Sequence, residues 1–157
     1  MDNGILAERW YEERQDLRLS TDAYHGLKQG LRDFLPPDAL AGVAFRDGEP
    51  VVIALAKDAL LAFTPPAEGA LLDAMALPIE RIAALAVTST FTGNAEATYR
   101  SSCWTLSVPL YEVAPLETRR PVGAGFGTDS GGEAVMLALA ERLGWSVPLG
   151  GPEERTG

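Results

Sequence analysis

The chain has 157 residues, 46% of them hydrophobic, which fits one ordinary domain with a buried core and excludes wholesale disorder. Thirteen basic residues against 22 acidic ones give a net charge of −9, spread as −2 over residues 1–35, −4 over 36–92 and −3 over 93–157. No segment offers the basic field that nucleic acid or an anionic membrane surface demands, so neither is an expected partner.

From Ile5 to Leu19 the composition is charged and helix-favouring, and a first helix is expected there. Ser20-Thr21-Asp22 are N-cap types, and Tyr24, Leu27, Leu31 and Phe34 recur behind them as the stripe of a second helix, stopped by Pro36-Pro37. Both stripes are expected to pack on the rest of the chain. The period then becomes extended. Gly42 to Arg46 and Val51 to Ala56 are apolar runs around Asp47-Gly48, a strong hairpin signal, and Lys57-Asp58 separates Val51 to Ala56 from Leu60 to Phe63 as a second hairpin. Residues 64–69 read as a loop.

After Pro78, Leu85, Val87, Ser89 and Phe91 alternate with Ala84, Ala86, Thr88 and Thr90, which predicts a strand. A turn at Thr92-Gly93-Asn94 leads into Tyr99 to Leu110. There Trp104, Leu106, Val108 and Leu110 share one face and Cys103, Thr105 and Ser107 the other. Val122, Ala124 and Phe126 alternate with Gly123, Gly125 and Gly127, a face without side chains, and the helix that comes next is expected to approach that backbone closely. Ser130-Gly131-Gly132-Glu133 fits a capping box for a last helix carrying Met136, Leu139, Ala140 and Leu143. Gly144 is placed to end it in a left-handed C-cap with Trp145 folding back, and the tail from Pro148 is expected to fray.

The start Met1-Asp2-Asn3-Gly4 has no basic stretch leading into an apolar core, and no run reaches the roughly 18 apolar residues that cross a bilayer. A cytoplasmic location is therefore expected. The single cysteine, Cys103, has no internal disulfide partner, in keeping with a reducing compartment; it reads as a buried, inert thiol. His25, the one histidine, lies on the polar flank of its stripe and reads as a surface residue. Glu12, Glu13 and Asp16 stand amid arginines at helical spacing and read as a solvated face rather than a metal site. Gly123-Ala124-Gly125-Phe126-Gly127 lacks the spacing of a dinucleotide fingerprint, and Thr118-Arg119-Arg120 reads as surface charge in a loop. No catalytic residue, cofactor or metal is expected.

Val51-Val52-Ile53-Ala54-Leu55-Ala56-Lys57-Asp58-Ala59-Leu60-Leu61-Ala62-Phe63, Leu77-Pro78-Ile79-Glu80-Arg81-Ile82 with its following strand, and the helix from Ala134 to Leu143 together resemble the bacterial pleckstrin-homology-like family over residues 41–145. The resemblance implies an α+β fold: a small bent antiparallel β-barrel capped by a C-terminal α-helix, here with two N-terminal helices added. It divides the chain into a helical extension (1–37), the barrel with its helix (38–147) and a frayed tail (148–157). It also implies a platform that binds another protein, a peptide or a lipid head group and is rarely an enzyme. Phosphoinositide binders of the family carry basic residues in the first hairpin loop. Here that loop is Arg46-Asp47-Gly48-Glu49, so a protein is the expected ligand.

The expectation is thus a non-catalytic protein-binding module using its N-terminal helices or a barrel edge, with Trp10, Tyr11 and Arg14 as partner-binding residues, because aromatic and arginine anchors dominate interfaces. Two alternatives stand beside it: an acidic inhibitor or immunity protein neutralising a basic partner, and a small-ligand or lipid carrier, or an enzyme without a recognisable motif. Pairing with its own copy is left open.

Overall fold

The computed structural model describes residues 3–13, 21–64, 73–93, 98–122 and 131–145. Helices α1 (Asn3–Glu13) and α2 (Thr21–Phe34) precede strands β1 (Leu40–Arg46), β2 (Glu49–Leu55), β3 (Ala59–Thr64), β4 (Asp73–Pro78), β5 (Ala84–Gly93), β6 (Thr98–Ser107) and β7 (Leu116–Val122), and helix α3 (Gly132–Arg142) follows. The strands form one antiparallel sheet in the order β4-β3-β2-β1-β7-β6-β5. An α+β fold with helices at both ends is therefore present. The expected closed barrel is not, because β4 and β5 stand at opposite edges and do not pair. Closure would need a ladder between them, and instead β4 ends at Pro78 and a single 3-10 turn at Ile79–Arg81 carries the chain into β5.

The two expected hairpins form in register. Arg46 pairs with Glu49 across Asp47 (φ 53°) and Gly48 (φ 80°), so both central residues of the two-residue turn have positive φ, as a type I′ turn requires. Leu55 pairs with Leu60 around the Lys57-Asp58 tip.

Alternating side chains of β1 and β2 feed two different cores, which is why both strands are continuous apolar runs. On one face Ala44, Val51 and Ile53 pack with Trp104, Leu106 and Leu116 from β6 and β7 and with Val135, Met136 and Leu139 from α3. On the other, Ala41, Val43, Val52 and Ala54 pack with Phe63 and with Leu6, Ala7, Trp10, Leu27 and Leu31 from α1 and α2. The leading helices thus share a core with β1–β3. In α2 the buried row is Leu27, Leu31 and Leu35; Phe34, expected in the stripe, is 64% exposed, because the i, i+4, i+8 row continues through Leu35 instead.

Among the described residues, no helix covers the outer face of β5–β7. Trp104, Leu106 and Val108 are buried and Cys103, Thr105 and Ser107 exposed, so the period of two in β6 is realised. The reading of Cys103 as buried is corrected, since it stands on the outward side of that alternation. Leu110 is fully exposed, beyond the end of β6.

Two strands were not expected. β4 is rich in alanine, a weak strand former, and is held by six registered pairs with β3. β7 contains the Thr118-Arg119-Arg120 stretch read as a loop, because pairing along β6 overrides its charge.

The entry to α3 also differs. Its N-cap is Gly131 at φ 83° with no side-chain cap, so Glu133 does not complete a capping box; Ser130 lies outside the described residues. Gly131 instead bridges to Val43. A Cβ on Gly42 would sit 2.2 Å from the Gly131 carbonyl carbon, and one on Gly132 would sit 2.4 Å from the Val43 oxygen. A close backbone approach thus joins Gly42 and Val43 of β1 to Gly131 and Gly132; the one expected at Gly123, Gly125 and Gly127 lies outside the described residues. The other end of α3 matches the expectation. Gly144 (φ 83°) donates to Glu141 O and Trp145 to Ala140 O, both at 2.9 Å, which is a Schellman C-cap.

Candidate functional site

α1 turns two rows of side chains in opposite directions. Leu6, Ala7 and Trp10 point inward and are wholly buried; Glu8, Tyr11 and Glu12, at i, i+3 and i+4, are exposed on the other side. This corrects the role expected of Trp10. Its ring has no exposed surface, and its indole Nε1–H donates to Pro50 O at 2.9 Å, so it anchors α1 on β2 and has nothing to present to a partner. Tyr11, adjacent and about 100° round the helix, is 45% exposed. Arg14 lies outside the described residues.

The exposed row of α1 meets the first turns of α2. Tyr11 and Tyr24 stand edge to face, with ring centroids 5.6 Å apart and planes at 78°, and Tyr24 and His25 are 5.5 Å apart at 66°. Glu8, Tyr11, Glu12, Tyr24 and His25 line a cleft of about 310 Å³ between the helices. His25 is exposed, as its place on the polar flank implied. Of the three acidic residues read as a solvated face, Glu12 is exposed and Asp16 lies outside the described residues.

A second polar constellation sits inside the protein. Arg100 on β6 and Arg120 on β7 are registered directly opposite one another, and Glu133 from the first turn of α3 reaches both. Arg100 Nε donates to Glu133 Oε1 at 2.8 Å, with side-chain exposures of 3% and 2%, while Arg120 Nε lies 3.8 Å from Oε2. Below this pair, Trp104 Nε1 donates to Thr118 Oγ1, and the Ser89 and Ser102 hydroxyls are bonded, each at 2.8 Å. Two guanidinium groups facing each other across a ladder repel; the carboxylate between them reverses that and ties α3 to the sheet. Arg119, on the opposite face of β7, lies over the Phe45 ring at 4.1 Å and pairs with Glu117 at 3.1 Å. At the far end of α3, Arg142 donates to the carbonyls of Ala56 and Lys57 in the β2–β3 turn. The Arg120 and Arg119–Glu117 pairs are half-exposed and the Arg142 bonds exposed, while the Arg100–Glu133 and Trp104–Thr118 contacts are buried and hold the fold.

The sheet edges differ in character. β4 is six residues long and bounded by Asp73 and Pro78. β5 is ten residues long, contains no charged residue and no proline, and among the described residues pairs only with β6. Its residues from Thr88 to Phe91 are exposed. The cleft was partly legible in the i, i+3, i+4 row of α1; its other wall depends on how α2 packs, which no local pattern reveals.

No family model matches the chain, and neither a curated protein nor a solved structure shows significant similarity to it. Among the described residues, no helix is long and apolar enough to cross a membrane.

Proposed function

We propose that the chain is a non-catalytic protein-binding module on a pleckstrin-homology-like scaffold, and that its partner docks by adding a strand to β5. Seven antiparallel strands in succession, followed by one helix packed against residues from both halves of the sheet, support the scaffold reading. The docking reading is carried by the free edge of β5. An edge presents a row of unpaired N–H and C=O groups, and proteins usually protect it with charge, proline or short length. β4 carries those protections, whereas β5 has ten uncharged residues, Ala84–Gly93. An incoming strand would take up those backbone groups, with exposed Thr88, Thr90 and Phe91 available to its side chains.

The test compares a tagged chain with its Thr88→Lys/Thr90→Lys variant in pull-downs from the native organism at low and moderate salt, with retained proteins identified by mass spectrometry. Both threonines are exposed, so the variant keeps its melting curve. A stoichiometric partner retained by the parent and lost by the variant is expected; a partner held equally by both refutes docking on β5. Recovery of the chain's own copies alone would replace a different partner with self-pairing along the same edge.

A second reading is favoured by Glu8 and Glu12 on the cleft rim and the net charge of −9: an acidic inhibitor that neutralises a basic partner. Its mark is steep loss of the partner with salt, in parent and edge variant alike.

A further inference from the structure

We infer that the cleft between α1 and α2 is a receptor for an alkylammonium, the head of a lysine side chain presented by a basic segment of another protein. Tyr11 and Tyr24 stand edge to face with planes at 78°, His25 is inclined to Tyr24 at 66°, and all three rings line the cleft. The faces of such rings carry negative potential and attract a cation within roughly 6 Å of the centroid. Cations are recognised in this way by cages of aromatic side chains.

Charge selects the occupant. Glu8 and Glu12 stand at i, i+4 on one helix face, where like charges repel, and among the described residues neither takes part in a salt bridge. A bound cation relieves that repulsion, while an apolar occupant would strip water from two carboxylates without compensating their charge. The volume of about 310 Å³ is at the small end of ligand pockets. Two perpendicular rings accommodate a compact ammonium better than a flat guanidinium, which stacks best on a single face. The chain itself has only two lysines, Lys28 and Lys57, and neither lines the cleft, so the ammonium comes from elsewhere. The inference rests on the protein-binding reading only in assigning that ammonium to a protein.

The test is titration of the intact chain at low salt with Nα-acetyl-lysine amide, Nα-acetyl-norleucine amide and tetramethylammonium, following the ring signals of Tyr11, Tyr24 and His25 by NMR. The lysine amide is expected to shift all three rings saturably and the norleucine amide, which lacks only the ammonium, to leave them unmoved. Tyr11→Ala should weaken binding about three-fold, and Glu8→Gln/Glu12→Gln should weaken it further while leaving the circular dichroism spectrum unchanged. Equal response to the norleucine amide would make the cleft a plain apolar groove and overturn the inference. So would binding of tetramethylammonium without the lysine amide, which would indicate a free quaternary amine, or no saturable shift with any titrant. The titrants need no partner protein, so failure here leaves docking on β5 standing, and failure of the edge variant leaves this site standing.

Discussion

Replacing Glu133 with alanine removes the carboxylate that stands between two arginines. Arg100 is 3% exposed and donates to Glu133 Oε1 at 2.8 Å. Without that carboxylate its guanidinium remains in the interior, opposite Arg120 on the neighbouring strand. Breaking a buried pair by removing one member costs about 3–5 kcal/mol, a large part of the roughly 5–15 kcal/mol that stabilises a typical domain. The Arg120 arm is different: its side chain is 47% exposed and its nitrogen is 3.8 Å from Oε2, so solvent screening reduces Arg120→Ala to about 0–1 kcal/mol. The geometry therefore predicts an order in which Glu133→Ala and Arg100→Ala are both severe and Arg120→Ala is mild. The paired replacement Arg100→Met/Glu133→Leu should be far milder than either severe single, because it removes both charges together. Urea unfolding followed by circular dichroism reads these differences as shifts in midpoint at constant slope. A loss below about 1 kcal/mol for Glu133→Ala, or equal losses for Arg100→Ala and Arg120→Ala, would refute the reasoning.

Three further substitutions and one chemical modification probe other parts of the fold. Trp10→Ala should cost about 3–5 kcal/mol, because the ring is wholly buried and bonded to Pro50 O; an unchanged melting curve would return it to the surface. Gly42→Ala drives a Cβ to 2.2 Å from the backbone of Gly131, where no side chain can yield, and should lower stability by about 1–3 kcal/mol; Gly48→Ala, where a Cβ meets open space but φ is +80°, should cost about 1–2 kcal/mol, and the two are compared in one thermal melt. Cys103, exposed on the outer face of β6, should react with an aromatic disulfide reagent in the native state at the rate of a free thiol; protection until unfolding would contradict its placement.

The parts of the fold legible in advance were those where one local rule decides. Asp47-Gly48 between apolar runs specifies a two-residue turn, Gly144 a left-handed helix end, and the alternation through Trp104, Leu106 and Val108 a half-buried strand. Elsewhere tertiary pairing decided. Ala74 and Ala76 have little preference for a strand, and β4 exists because β3 offers it a ladder. Arg119 and Arg120 looked like surface charge until the register of β6 and β7 sent one toward Phe45 and the other toward Glu133. Trp10 and Tyr11, being adjacent, face different directions on a helix, and which of them turns inward depends on β2 and Pro50, 40 residues away. The same holds for the cleft. One wall is a row in the sequence of α1, and the other appears only when α2 is docked beside it.

Residue-resolved amide hydrogen exchange over β5 in the dilute, isolated chain reports whether the edge of that strand is open to a partner. With β6 its one neighbour among the described residues, every second amide from Ala84 to Gly93 donates to β6 and the others point away from it. Alternating protection is expected, slow for the inward amides and close to that of unstructured chain for the outward ones. Uniform protection along β5 in the isolated chain would mean that the edge is already covered, and would contradict the proposal that a partner docks there.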